Sequence, residues 1–346
     1  MKKTFKRGFT LVELLVVISI IGLLAGLMLP AVNSAREQGR RATCINNQRN
    51  IALAFTMFEQ NKGRFPQYCT YSDPHDAAEQ QNSYNNVVTN YGDGRVQTRL
   101  GWIPQLFPYV EQPQLYEEIN KYGYTTNCDV ALELFFCKSA GAIEKNANNY
   151  VGNCGIADPG CVDTTGAYGL LTDGVGRRID GVDYLGKTIS VDDVKDGLSN
   201  TLLLSENLQA GNIWSSKEYL VGFCVNSNTA NGTPVIDSAP WFNESETLEG
   251  NPGVPLKPNL YRDEAEGYES TNGSADNAVY WNTARMSSSH PGVVVSAMAD
   301  GSTRVISENV EAEVLTKAMS PNDKATAYWK NNLFQTRTFD SSKLND

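Results

Sequence analysis

A chain of 346 residues, 41% hydrophobic and 10% aromatic, is long enough to bury a sizeable core, which excludes a wholly disordered polypeptide. The formal charge is −10, and Lys2, Lys3, Lys6 and Arg7 contribute +4 at the N-terminus, so the body from Phe9 onward carries −14. That acidity argues against nucleic acid and anionic membrane surfaces as partners and suits a solvated extracellular head.

The first predicted element is the run Phe9–Leu29, apolar apart from Thr10, Glu13, Ser19 and two glycines. At ~1.5 Å per residue it is about 30 Å long as a helix, the thickness of a bilayer core. The basic cluster before it holds that end in the cytoplasm and sends the body outward. A secretory signal peptide is the plain alternative. Against it stand the length of the run, the lack of a prompt A-x-A-like site, and Glu13 itself. A carboxylate inside hydrocarbon costs at least ~2.5 kcal/mol, so either the segment is not in lipid or Glu13 has a dedicated partner.

Past Pro30 the pattern becomes amphipathic, with Cys44, Ile51, Phe55 and Phe58 on one helical face. Pro30 removes a helical hydrogen bond and predicts a bend. Gly63 followed by Pro66 predicts the stop. The expected organisation is a leader over 1–8, a helix over 9–62 and a globular head over 63–346.

Within the head, short aromatic and β-branched runs alternate with Gly, Asn, Asp and Pro, without a βαβ pattern. That predicts an α+β fold with a mostly antiparallel sheet. EQPQLYEEINKYG predicts a helix ending at Gly123, and residues 226–277, polar and rich in Pro, Gly and Asn, predict a long loop insertion. Asp196-Gly197 predicts a turn before the apolar stretch Thr201–Leu204. Near the C-terminus, Val293–Ala299 and Ser302–Ile306 flank Asp300-Gly301, a two-residue hairpin cue that predicts a hairpin over 293–307.

GFTLVELLVVISIIGLLAGLMLP, with every key position filled, resembles the N-terminus of a type IV prepilin or type II secretion pseudopilin. The resemblance implies a prepilin peptidase that cuts between Gly8 and Phe9 and methylates the new amine of Phe9. It also implies that Glu13, fifth in the processed chain, is the assembly residue. The liberated ammonium of Phe9 then supplies the partner that Glu13 needs, within the chain or in a neighbouring subunit. Removing one member of a buried ion pair costs ~3–5 kcal/mol, so the pairing specifies register between packed helices.

SSSHPGVVVSAMADGSTRVIS matches an H-x9-D-G pattern in His290, Asp300 and Gly301. Together with TCINNQRNIALAF, GWIPQLFPYVEQPQLY, LFFCKSA, NYVGNCG and VKDGLSNTLLLSEN, it resembles a planctomycete-type family of pilin-like proteins with a head domain of unknown function. One departure is Lys138, where such proteins commonly carry Pro after the cysteine. The implied fold is one long helix packed on a mostly antiparallel sheet with loop insertions. The implied role is a structural subunit of a type II secretion or type IV pilus-like filament. Its partners would be the peptidase, itself and other pilin-like subunits, and its location the bacterial inner membrane with the head outside. The alternative is a single-pass anchored protein whose head binds a ligand or glycan without polymerising.

Chemical motifs are sparse, and the chain is read as a non-enzyme. His290 and Asp300 invite a dyad, but nine intervening residues in an extended strand, at ~3.3 Å each, place them about 30 Å apart. No G-x-S-x-G occurs. Seven cysteines without a C-x-x-C, and histidines far in sequence from any close-set cysteine pair, argue against structural zinc. Export favours disulfides instead. Cys154 and Cys161 are one candidate pair by proximity, and Cys44 and Cys137 another, since helix and head must pack together. Asp192, Asp193 and Asp196, grouped with Glu206 as an acidic cluster round a turn, offer oxygen donors for calcium, or are solvated turn carboxylates. Trp102, Trp214, Trp241 and Trp281 offer a glycan platform, or core.

Overall fold

The computed structural model describes residues 11–72, 75–76, 88–90, 95–123, 128–141, 145–157, 169–171, 177–179, 182–184, 188–208, 210, 213–214, 222–226, 286–310, 312–322 and 344. Gly8, Phe9, Cys161, Trp241, Trp281 and all of the 226–277 insertion beyond Asn226 lie outside them.

Helix α1, Leu11–Lys62, is a single element of 52 residues that runs through Pro30. Its first half is exposed and apolar; from Cys44 onward one face is buried, comprising Cys44, Gln48, Ile51, Ala52, Ala54, Phe55 and Phe58. The helix ends where the sequence places its stop: Gly63 adopts φ 66° and its N–H donates to the Glu59 carbonyl at 2.7 Å.

Four strands, β1 (Thr70–Tyr71), β2 (His75–Asp76), β3 (Val88–Asn90) and β4 (Arg95–Leu100), form a small antiparallel sheet around β4. Helix α2 (Trp102–Leu106) follows and is buried throughout. Helix α3 (Pro113–Tyr122) begins on a proline suited to the first turn and ends at Gly123, φ 74°.

The main sheet contains β5 (Tyr150–Ala157), β8 (Leu202–Glu206), β9 (Gly222–Asn226), β10 (Val293–Met298) and β11 (Thr303–Ser307), in the order β11-β10-β8-β5-β9. Between β5 and β8 lies a separate hairpin of β6 (Arg177–Ile179) and β7 (Val182–Tyr184). Four strands of the main sheet are antiparallel, and β9 joins β5 in parallel, an exception the local sequence pattern does not reveal. Helix α1 packs across β10 and β8, while α4 (Ala312–Met319) packs against β5 and β8.

The sheet therefore separates two apolar cores. Cys44, Ile51, Phe55, Trp102, Leu204 and Ala297 belong to the α1 side; Leu202, Val294, Met298, Val314 and Leu315 belong to the other. Leu202 and Leu204 would share a face in a regular strand. A register shift opposite Ala297 and Met298 pairs Ala297 with Leu204 and Met298 with Leu202, which re-aims the two leucines into different cores. Trp102 and Trp214 are core residues, 0% and 1% exposed, so neither belongs to a surface glycan platform.

The C-terminal hairpin forms as expected, but its turn is longer than the two-residue cue implies. Gly301, φ 82°, donates to the Met298 carbonyl at 3.0 Å and Met298 donates to Ser302 at 2.8 Å, giving a three-residue loop with glycine in the left-handed position.

Candidate functional site

The docking face of α1 carries polar groups into the head as well as apolar ones. Glu37, Cys44 and Gln48 follow one another at seven and four residues, close to whole helical turns. Gln48 is fully buried and donates to the Val295 carbonyl at 2.7 Å. Asn47 donates to the carbonyls of Glu133 and Phe136 at 3.1 and 3.2 Å, which fastens the segment before Cys137 to the helix. From the head side, Asn149 accepts from the Cys137 N–H at 3.1 Å.

Four buried side chains converge there: Cys44, Cys137, Glu206 and His290, their donor atoms all within 4.8 Å of one another. His290 is the centre. Its Nδ1 lies 2.5 Å from Glu37 Oε1, and its Nε2 lies 3.4 Å from Glu206 Oε1 and 3.6 Å from Cys137 Sγ. Glu206, 1% exposed at the end of β8, also accepts from the Val295 N–H at 3.2 Å. Glu37 is held in turn by the Ser139 hydroxyl, which donates at 2.9 Å, and by Arg40 at 3.9 Å.

The electrostatics follow from this packing. Burial pushes the His290 imidazole toward neutrality, but its bonds to Cys44, Glu206 and Glu37 outweigh that and raise its pKa to about 10. The hydrogen bond from Cys137 lowers the Cys44 thiol to about 6 against the cost of burial, with His290 assisting. Cys137 moves the other way, raised by its bond to Cys44 and by burial.

The donor set is one a transition metal uses, yet the two sulfurs stand only 2.6 Å apart. Two thiolates on one tetrahedral ion, with Zn–S near 2.3 Å, keep about 3.8 Å between them. The residues do not fit a shared ion in this arrangement.

Several sequence expectations change here. His290 is not merely a strand entry: chain segments far apart in sequence bring it beside two cysteines. Asp300 takes no part; it is exposed, and its Oδ1 accepts from the Ser302 N–H at 2.8 Å within the turn. Glu206 does not belong with Asp192, Asp193 and Asp196. Asp193 caps its own turn, accepting from the Ser190 N–H at 3.0 Å and hydroxyl at 2.9 Å. Glu37 carries no sequence signal beyond its place seven residues before Cys44. Cys154 is buried in β5, and its candidate partner Cys161 lies outside the described residues. At the other end of α1, Glu13 is exposed on the apolar half.

A family model described as a protein of unknown function, DUF1559, matches residues 33–313. The chain belongs to the DUF1559 family. The four buried residues of the junction, and Glu37 beside them, fall within that match. A second model, the prokaryotic N-terminal methylation motif, matches residues 3–29 and so brackets Gly8, Phe9 and Glu13.

Beyond the family, the chain is similar to the "Type II secretion system core protein G" of Pectobacterium carotovorum subsp. carotovorum, 34% identical over 61 residues, which is 18% of this chain and 39% of that protein. The "Type IV major pilin protein PilE1" of Neisseria gonorrhoeae is 34% identical over 64 residues, again 18% of this chain and 39% of that protein. The core protein G of Aeromonas hydrophila is 29% identical over 109 residues, 32% of this chain and 74% of that protein. The chain thus spans less than half the length of the first of these curated relatives. No solved structure matches.

Proposed function

We propose that this DUF1559 chain is a pilin-like structural subunit, processed between Gly8 and Phe9 and methylated at Phe9. It is anchored in the inner membrane by the first half of α1 and built into a type II secretion or pilus-like filament with other pilin-like subunits. The observation that carries this reading is the division of one continuous helix. None of its most apolar stretch is buried, whereas the same helix from Cys44 onward is embedded in the head. An apolar surface of that length needs lipid or neighbouring helices to cover it. The match of residues 3–29 to the methylation motif supports processing at the start of that surface.

Mass spectrometry of the native N-terminus tests the reading. The mature chain is expected to begin at N-methylated Phe9, and Gly8→Ala is expected to keep the leader. A native chain that still begins at Met1 overturns it.

A further inference from the structure

The sulfurs of Cys44 and Cys137 lie 2.6 Å apart in a buried setting, well inside the about 3.5–4.0 Å at which unbonded heavy atoms pack. The surrounding chain holds them there by independent means. Asn47, three residues after Cys44, binds the carbonyls on either side of the Glu133–Phe136 turn, and Asn149 holds the Cys137 N–H. Glu37 and Ser139 repeat the attachment two residues past Cys137, at 2.9 Å. Three hydrogen bonds thus fasten the helix to the loop on either side of Cys137, and a fourth ties Cys137 itself to the head.

We propose that Cys44 and Cys137 are joined by a disulfide in the mature protein, a covalent clasp between the long helix and the head. It rests on the extracytoplasmic placement of the head in the reading above, since that compartment permits disulfides to persist.

The chemistry is exchange with the disulfide of an extracytoplasmic dithiol oxidant. The Cys137 thiolate attacks one oxidant sulfur while the chain is open, forming a mixed disulfide and releasing the oxidant's other sulfur as a thiolate. When the helix docks, Cys44 attacks Cys137 Sγ and the remaining oxidant sulfur leaves. Two thiols of this chain are oxidised, and the oxidant's disulfide is reduced to a dithiol that takes up both protons and the electron pair. His290, facing the pair with Glu37 and Glu206 behind it, favours the thiolate of Cys44 for that second attack. The bond closes a sequence separation of 93 residues, a long loop whose closure restricts the unfolded chain strongly.

The test uses the full native chain. Free thiols are blocked with iodoacetamide in intact cells, and the membrane-extracted protein is denatured, digested without reductant and mapped by mass spectrometry. The expected result is a linked pair of peptides carrying Cys44 and Cys137, lighter than the two reduced peptides by two hydrogens. Alkylation at both positions, linkage of either to another cysteine, or alkylation that appears only after a chelator is added overturns the clasp. The same digest reports the N-terminus. Processed Phe9 with free thiols sinks the clasp alone, whereas an intact Met1 sinks the processing reading.

Discussion

His290 lies between two carboxylates from different parts of the chain, Glu37 at Nδ1 and Glu206 at Nε2. The folded pKa, near 10, lies above the ordinary 6.5, so the protonated form is favoured by folding. Its contribution to stability is therefore complete below about pH 6.5 and lost as the pH rises toward 10. That value includes the bond to Cys44, the largest of the raising causes; with Cys44 joined to Cys137, Glu206 and Glu37 alone hold the proton, and the loss of stability falls at a lower pH. His290→Gln is expected to lower the unfolding free energy by about 3–5 kcal/mol at pH 6, because Glu206 keeps its burial and loses its cation. The difference from the unmutated protein should shrink by pH 10; urea denaturation of the detergent-solubilised chain at both pH values measures it. A difference independent of pH counts against the charged role. The sequence singled out His290 as a signature residue without its surroundings and suggested that Cys44 and Cys137 meet, but it gave no hint of Glu37. Nothing local marks a helical glutamate whose partner lies 253 residues away.

Helix α1 is the element that the sequence described best. Apolar length, the periodic face from Cys44 to Phe58 and the Gly63 stop are all local properties, set by hydrophobicity, a 3.6-residue period and backbone freedom. Pro30 inside the helix leaves the Gly26 carbonyl without its helical donor, and a kink there is proposed on that ground. The exposed half, Glu13 included, makes an assembly prediction. Glu13→Ala is expected to leave cleavage at Gly8 intact and to reduce recovery in sheared filament fractions by tenfold or more. Unchanged helix-to-helix cross-linking in cells would remove the pairing role assigned to Glu13. Strand β10 shows where local reading stops. The Asp300-Gly301 cue located the turn correctly, whereas the loop length depended on how Met298 and Ser302 paired across it.

For the molecule as a whole, charge and hydropathy divide the chain into a basic start, an apolar half-helix and an acidic remainder, and the proposed anchoring would set these along the membrane normal. Protease added to sealed, right-side-out membrane vesicles is expected to remove the head and spare a fragment containing the apolar half of α1. Protection of the whole chain would place the head on the other side. The sequence by itself determined the long helix with its stop at Gly63 and the α+β class, and it is the ground for the proposed sidedness, because each follows from residues near one another. Only the tertiary structure decided the order β11-β10-β8-β5-β9, the parallel strand β9, and the meeting of Glu37, Cys44, Cys137, Glu206 and His290. Those features depend on which distant segments share the face of one sheet. Burial then turns ordinary polar side chains into an interdependent group, and no stretch of sequence contains that information alone.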